Sequence, residues 1–182
     1  MALNFSAICC PLVDLIIHGV PQNFFQRFQL SVDGGQLGDE NLFKEILSSY
    51  GTQLKHAKIG GSATNTLRIF QAASSNLKSH VSSIFVGSVG NDCVATEMVQ
   101  ELKREGIICK CQTNDNLATG CCFALPNEEG RCLVTFPMAS RQLTNIFVNE
   151  VHEDIPQDGF VFVVSYLFNI SPDFIAKFVF IS

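Results

Sequence analysis

Two adjacent glycines followed by small polar residues form the stretch of this sequence best suited to binding a ligand. The stretch covers residues 60–65 and reads Gly-Gly-Ser-Ala-Thr-Asn. Paired glycines let the backbone adopt positive φ and approach a ligand with no intervening Cβ atom. The polar residues after them are typical of the first turn of a helix, where unpaired backbone N–H groups point outward. Such a turn can hold an anionic or hydroxyl-rich ligand, although most Gly-Gly-Ser segments are ordinary tight turns.

Two polar side chains accompany the glycines. Asn65 lies one helical turn beyond Gly61, so its amide can reach back toward the same ligand; the alternative is a polar residue packed near a helix start. Asp14 follows the first predicted strand, at the carboxyl edge where open α/β sheets bind ligands. Its carboxylate can accept two hydrogen bonds from a diol, and the alternative is a turn residue after Pro11.

The elements that must position these residues alternate between strands and helices. Apolar runs predict strands over 5–8, 81–86, 107–112 and 160–164, and helical spacing predicts helices over 41–50, 62–76 and 96–104. A hairpin is predicted over 119–125 and 131–136, residues 20–30 and 31–38 read as irregular segments, and Ser171-Pro172 predicts the start of a further helix. This alternation predicts an α/β fold with a parallel sheet, helices on both of its faces and an antiparallel addition.

Bulk composition narrows the class of protein. A length of 182 residues suits one domain with its own core, and 47% hydrophobic against 16% charged residues indicates a globular chain. A net charge of -5 with no basic run argues against nucleic acid or an anionic membrane as the main partner. The longest apolar run, 160–168, is about half the length needed to cross a bilayer, and residues 1–17 lack the basic start of a signal peptide. We therefore expect a soluble cytoplasmic protein, with the nucleus as the alternative compartment.

The eight cysteines do not have the spacing of a zinc site. Cys9-Cys10 and Cys121-Cys122 are adjacent pairs, Cys109 and Cys111 are one residue apart, and no histidine lies at a useful offset. Most of them fall in apolar, strand-like settings, where a free thiol packs as a small hydrophobic side chain. We expect reduced core cysteines and no bound metal.

Several short motifs follow one another along the chain in a fixed order. They are Pro11-Leu-Val-Asp14, the Gly-Gly-Ser-x-x-Asn segment at 60–65, Phe85-Val-Gly-Ser-Val-Gly90-Asn-Asp92, Thr119-Gly120, and Ser165-Tyr-Leu167 with Ser171-Pro172. In order and spacing this series resembles the N-terminal half of the ribokinase-like (PfkB) carbohydrate and nucleoside kinases. Within that family it is most similar to the nucleoside kinases that act on adenosine.

The resemblance implies a fold and a set of ligand contacts. The fold is a ribokinase-like three-layer α/β/α domain over residues 1–182, with a mostly parallel sheet and a small β-sheet lid whose strands lie approximately within 12–38 and 107–137. The residues implied to bind the sugar of the nucleoside are Asp14, Gly60, Gly61 and Asn65.

Other motif residues receive less definite roles. Thr119 and Gly120 open the lid hairpin and are expected beside the sugar, whereas the Gly87–Asp92 segment is expected to shape a loop. Three apolar residues could either wall a base pocket or belong to the core: Phe24, Phe136 and Leu167.

The chain also departs from the family pattern. Cys10 stands where an asparagine is usual, Ser165 where a glycine is common, and residues 136–141 read Phe-Pro-Met-Ala-Ser-Arg where Gly-Ala or Ala-Ala-Asn is typical. No segment resembles the family's second signature, Asp-Thr-x-Gly-Ala-Gly-Asp, which holds the catalytic base and the anion hole. The resemblance therefore implies a truncated chain with no catalytic residue of its own, in which the C-terminal ATP-binding half is absent.

Three functions follow as alternatives. The first is the nucleoside-binding half of a kinase that, at full length, uses ATP and Mg²⁺ to phosphorylate adenosine in purine salvage; the half alone would be inactive. The second is the same scaffold acting on a plain sugar such as ribose or fructose. The third is a non-catalytic protein that associates with a partner through the sheet edge and core exposed by truncation.

Overall fold

The computed structural model of the protein describes residues 3–54, 57–77, 81–156, 159–164 and 167. Within these ranges the strands are β1 (Leu3–Ile8), β2 (Leu12–Ile16), β3 (Gly35–Leu37), β4 (Ala57–Gly60), β5 (Val81–Gly90), β6 (Ile108–Asn114), β7 (Gly120–Asn127), β8 (Gly130–Phe136) and β9 (Phe160–Val163). The α-helices are α1 (Gln22–Arg27), α2 (Glu40–Tyr50), α3 (Ser62–Asn76), α4 (Cys93–Arg104) and α5 (Asn145–His152). Short 3-10 segments cover Gly51–Gln53 and Met138–Gln142.

A parallel sheet forms the main body of the domain. Its strand order is β6-β5-β1-β9, and all of its pairings are parallel. The central strands β1 and β5 carry apolar residues on both faces because helices cover both sides, as is usual for parallel sheets. One face packs against α3 and α4 through residues such as Leu67 and Met98, and the other packs against α5 through Val151. This arrangement confirms the predicted three-layer α/β/α architecture.

A second, mixed sheet lies beside the first and has the order β3-β8-β7-β2-β4. One of its faces is buried against α1 and α2, in a cluster that includes Phe25, Ile46 and Phe123. The ranges 12–38 and 107–137, predicted for lid strands, contain β2, β3, β7 and β8 of this sheet. They do not contain β4. Strand β6 also falls within 107–137, but it pairs with β5 and so belongs to the parallel sheet.

Other differences from the sequence-based assignment have local causes. Strand β5 continues to Gly90 instead of ending at Val86, and Gly87 serves close packing: a Cβ there would lie 2.6 Å from Pro11 Cγ. The segments predicted as irregular contain the short helix α1 and the three-residue strand β3, and α5 was not predicted. Phe160 of β9 is 64% exposed, so this strand, the outermost of the parallel sheet within the described ranges, is not the buried strand that its composition suggested. The helix predicted from Ser171-Pro172 lies outside the described residues.

All eight cysteines are free thiols. Burial raises the pKa of Cys10, Cys111 and Cys121 to about 12, so these thiols stay protonated at neutral pH. Among the helices that the structure describes, none has the length and apolar character required of a membrane span.

Two aspartates cap helices in different settings. Asp39 caps α2 by accepting a hydrogen bond from the Leu42 N–H at 2.7 Å. Asp92 caps α4 by accepting from the Ala95 N–H at 2.8 Å, and it also accepts from the Thr119 N–H at 2.7 Å and from the Thr119 hydroxyl at 2.8 Å. Burial alone would raise the pKa of Asp92, but these hydrogen bonds outweigh it and lower the pKa. Asp92 therefore stabilises the fold above the pKa of the unfolded chain and loses this contribution as pH falls through its folded value.

Replacing each capping aspartate with alanine should show how much each one contributes to the unfolding free energy. Asp39→Ala removes one capping bond and should cost about 1 kcal/mol of unfolding free energy. Asp92→Ala also leaves the buried Thr119 hydroxyl and its N–H without their acceptor, so it should cost about 3 kcal/mol. Urea denaturation of the two variants measures the difference. Equal losses would show that the Asp92–Thr119 contacts do not stabilise the fold.

Candidate binding site

Asp14 lies in the middle of β2, between two neighbouring strands of the second sheet. It is paired in register with Lys58 of β4 and with Cys122 of β7. Because directly paired residues point to the same face of a sheet, Asp14 and Cys122 share the face opposite the packed α1 and α2. The sequence placed Asp14 after the first strand, whereas the structure places it inside the second one.

The Asp14 carboxylate packs directly on the backbone of Gly60. A Cβ atom added to Gly60 would lie 2.3 Å from Asp14 Cγ and from both carboxylate oxygens, so the carboxylate occupies the space of the missing side chain. The antiparallel pairing of β2 with β4, in which Leu12 lies opposite Gly60, produces this approach. The glycine pair and the carboxylate, which are far apart in sequence, therefore meet.

The second glycine turns the chain into α3. Gly61 has φ +89, a conformation that favours glycine, and a Cβ there would lie 3.0 Å from the Cys10 carbonyl oxygen. The Gly61 carbonyl accepts a hydrogen bond from the Asn65 N–H at 3.0 Å, which closes the first helical turn. The side chain of Asn65 is exposed, on the side of α3 that faces Asp14 across a cleft. Asp14, Gly60, Gly61 and Asn65 thus converge, and their role as ligand contacts stays a prediction.

The cleft between the second sheet and α3 has a volume of about 790 Å³. Its lining residues are Asp14, Ile16, Ala57, Lys58, Ile59, Asn65, Arg68, Glu101, Cys122, Ala124, Arg131 and Leu133. A smaller pocket of about 140 Å³ touches the Gly61 turn and is lined by Cys10, Leu12, Gly61, Ser62, Ala63, Thr135 and Val164. Half of the residues that line the large cleft are polar or charged, and the other half are apolar or small, so the cleft offers both hydrogen-bonding groups and apolar contact.

Asp14 is only partly solvated within the cleft. Burial raises the pKa of its carboxyl group, and the positive charge of Arg131 offsets part of that rise. The structure gives the carboxylate no bidentate partner among the described residues. A partly desolvated carboxylate of this kind gains most when a ligand supplies hydroxyl or amide donors.

The structure gives Thr119 a structural role. Its buried hydroxyl donates to Asp92 and accepts from the Gly90 N–H at 3.1 Å. A Cβ on Gly120 would lie 2.6 Å from the Pro137 carbonyl oxygen, so that glycine is needed for close packing. Neither residue lines the large cleft, and their contact with a ligand stays a prediction.

The three residues considered for a base pocket do not come together. Phe24 and Phe136 lie in the cluster between the second sheet and helices α1 and α2. Leu167 lies in the cluster beneath the parallel sheet, with Ile8 and Val86. All three are buried and act as core residues here.

The cleft residues that reasoning from the sequence missed include Lys58, Arg68, Cys122 and Arg131. Helical spacing could have found Arg68, which follows Asn65 by three positions on the same helix. The other three depend on the register between strands, which the partly alternating hairpin sequence does not define. Among the described residues, no group of three or more His, Cys, Asp or Glu side chains could hold a metal ion.

Comparison with known proteins places this geometry in a family. Residues 40–177 match the model of the pfkB family carbohydrate kinases. The adenosine kinase of Dictyostelium discoideum is 28% identical over 178 residues, which cover 93% of this chain and 50% of that protein. The adenosine kinase from Schistosoma mansoni, solved in complex with 2-fluoroadenosine, has the same fold (TM-score 0.82, 20% identity, 95% of this chain and 50% of that one). A probable sugar kinase protein from Rhizobium etli also shares it (TM-score 0.75, 20% identity, 93% of this chain and 49% of that one).

The chain spans about half the length of the curated relatives it matches. The family model nevertheless covers well over half of the chain itself, and the three-layer fold agrees with it. This chain therefore belongs to the pfkB family of carbohydrate kinases.

Proposed function

We propose that this chain forms the nucleoside-binding half of an adenosine kinase, an enzyme that transfers the γ-phosphoryl group of ATP to adenosine. The observation that carries the proposal is the seating of the Asp14 carboxylate on Gly60, inside a cleft that Asn65 also lines. The adenosine kinases among its relatives support the nucleoside as the ligand.

In this proposal each residue binds a different part of the ribose. The Asp14 carboxylate accepts hydrogen bonds from two neighbouring hydroxyls, a geometry that two carboxylate oxygens match. The backbone N–H groups at the start of α3, after Gly61, and the Asn65 amide contribute donors on the other side. The apolar residues Ile16, Ala124 and Leu133 provide apolar contact on another part of the wall, beside the charged Lys58 and Arg131.

Phosphoryl transfer needs groups beyond this set. ATP with Mg²⁺ would supply the transferred group and the charge that neutralises it, and a base must take the proton of the attacking hydroxyl. The residues that the structure describes offer no cluster suited to the metal. The sequence holds no stretch resembling the family's catalytic signature. We therefore propose that this chain binds the nucleoside without turnover by itself.

Two alternatives have observations in their favour. The match to a probable sugar kinase favours a plain sugar as the ligand. The exposed Phe160 and Val161 of edge strand β9 favour association with a protein partner.

Calorimetric titration of the 182-residue chain with adenosine and with ribose separates the ligands. We expect heat of binding with adenosine and at least tenfold weaker binding of ribose, because the base adds apolar contact in the cleft. Equal affinities would favour the sugar kinase alternative. Absence of heat with both ligands would favour the protein partner and contradict the proposal.

Asp14→Asn should weaken adenosine binding on the order of 100-fold, since two charge-assisted hydrogen bonds lose their ionised acceptor. The same variant should be at least as stable as the wild type at pH 7, because burial raises the pKa of Asp14 and its ionised form opposes folding. As the pH is lowered, the wild type should lose adenosine affinity at a higher pH than an ordinary aspartate would, because the pKa of Asp14 is raised. The Asp14→Asn variant should show no such loss. Calorimetry across pH and thermal unfolding at pH 7 provide both measurements. A variant that binds as tightly as the wild type would remove Asp14 from the site.

Gly60→Ala should damage the site although residue 14 is still an aspartate. The new Cβ would lie 2.3 Å from the Asp14 carboxylate and must displace it, so adenosine affinity should fall at least tenfold. Gly51→Ala is the matched control, because Gly51 has φ -55 and a Cβ there meets nothing within 4 Å. Calorimetry of both variants tests the contact. Similar affinities in the two would show that the position of the carboxylate does not control binding.

A further inference from the structure

Helix α4 is tied to both walls of the candidate cleft, one at each of its ends. Its C-terminal end contacts Arg68 on α3, the helix that carries Asn65. Its N-terminal cap, Asp92, binds Thr119, which directly precedes the strand that carries Cys122. The helix therefore connects the α3 wall of the cleft to the second-sheet wall.

The contact at the C-terminal end is a fork of charged hydrogen bonds. Arg68 Nε donates to Glu105 Oε2 at 2.7 Å, Arg68 Nη2 donates to Glu101 Oε1 at 2.8 Å, and Nη2 also donates to Glu105 Oε1. The Arg68 side chain is only 27% exposed, so the fork is partly shielded from water. An arginine held by two carboxylates has a fixed direction as well as a fixed distance, because its guanidinium is planar.

Arg68 is also placed to affect the ligand contacts. It follows Asn65 by three positions on α3, so the two side chains are neighbours on the helix surface, and both line the cleft. The apolar anchors Ala63 and Leu67 hold the buried side of α3 against the parallel sheet. Such contacts fix how deeply the helix packs but constrain its rotation and translation less than a directional fork does.

We propose that Arg68 is a positioning residue: by tying α3 to α4 it fixes the Gly61–Asn65 turn relative to Asp14. The part of this inference that concerns ligand affinity rests on the proposed function. The part that concerns the order of the turn does not depend on any ligand.

A purely stabilising role for Arg68 predicts something different. Partly exposed ion pairs contribute little to unfolding free energy. A contribution to global stability alone would change exchange only at amides that exchange through global unfolding, and not selectively at the turn. Arg27 provides a comparison away from the cleft: it pairs with Glu45 at 2.7 Å between α1 and α2, but it is 63% exposed and has one carboxylate partner instead of two. Arg68→Met and Arg27→Met each remove one arginine from an ion pair, but only the first should change the turn.

Amide hydrogen exchange of the ligand-free chain, followed by NMR, tests the positional claim. In Arg68→Met, exchange at residues 65–68 should rise about tenfold, because the turn opens locally more often. Arg27→Met should leave these amides unchanged, and Arg68→Lys, which keeps the charge but loses the fork, should give an intermediate rise. If Arg68→Met disturbs folding, Glu105→Gln provides a second variant. It keeps the guanidinium of Arg68 and should raise exchange at residues 65–68 by less than about tenfold. Unchanged exchange at 65–68 in these Arg68 and Glu105 variants would overturn the proposal.

A double-mutant cycle with adenosine tests the consequence for binding. Arg68→Met should weaken binding about tenfold in the wild-type background and by a smaller factor once Asn65→Ala is present, because part of the effect of Arg68 is exerted through the Asn65 side chain. Equal effects in both backgrounds would overturn the positional mechanism. If the wild type binds no adenosine while exchange responds to Arg68→Met as expected, the proposed function fails and the positioning role stands.

Discussion

The candidate site depends on one close contact, the packing of the Asp14 carboxylate on the backbone of Gly60. An ionisable group set against a peptide backbone and partly removed from water is costly, as the raised pKa of Asp14 shows. That cost is incurred when the chain folds, before any ligand arrives. A ligand that donates hydrogen bonds to the carboxylate therefore recovers free energy that water no longer supplies, and it meets an acceptor whose position is already fixed.

The rest of the structure can be understood as support for this contact. Pairing of β2 with β4 brings Gly60 opposite Leu12, and the left-handed conformation at Gly61 then directs the chain into α3. The core between the parallel sheet and helices α3 and α4 fixes the depth of α3. Charged contacts link the C-terminal end of α4 to α3 and its N-terminal cap to Thr119, which precedes β7 of the second sheet. Apolar packing and directional polar contacts thus have separate tasks: the first places the elements, and the second sets their orientation.

Much of the fold could be predicted because its signals are local. Helix α3 follows from an apolar stripe after two glycines, and the hairpin of β7 and β8 follows from the turn sequence around Asn127. Strand β4 could not be predicted, because its few residues acquire strand structure only by pairing with β2. Gly87 and Gly90 looked like loop glycines, yet both lie in β5, where neighbouring groups fill the space of a side chain. The convergence of Asp14 with the glycine pair was anticipated from motif order, whereas Arg131 and Cys122 required knowledge of strand register.

The position of β1 in the parallel sheet has a consequence for biosynthesis. This N-terminal strand pairs with β5 on one side, as in Phe5 with Ser83, and with β9 on the other, as in Phe5 with Phe160. A ribosome makes β1 before β5 and β9, so the hydrogen-bonding edges of β1 cannot be satisfied until β5 and then β9 have emerged. During translation the apolar strand β1 therefore remains unpaired until β5 and β9 are made, and pairings this distant in sequence form slowly. Nascent chains of this protein are accordingly expected to need chaperone protection until β9 has left the exit tunnel.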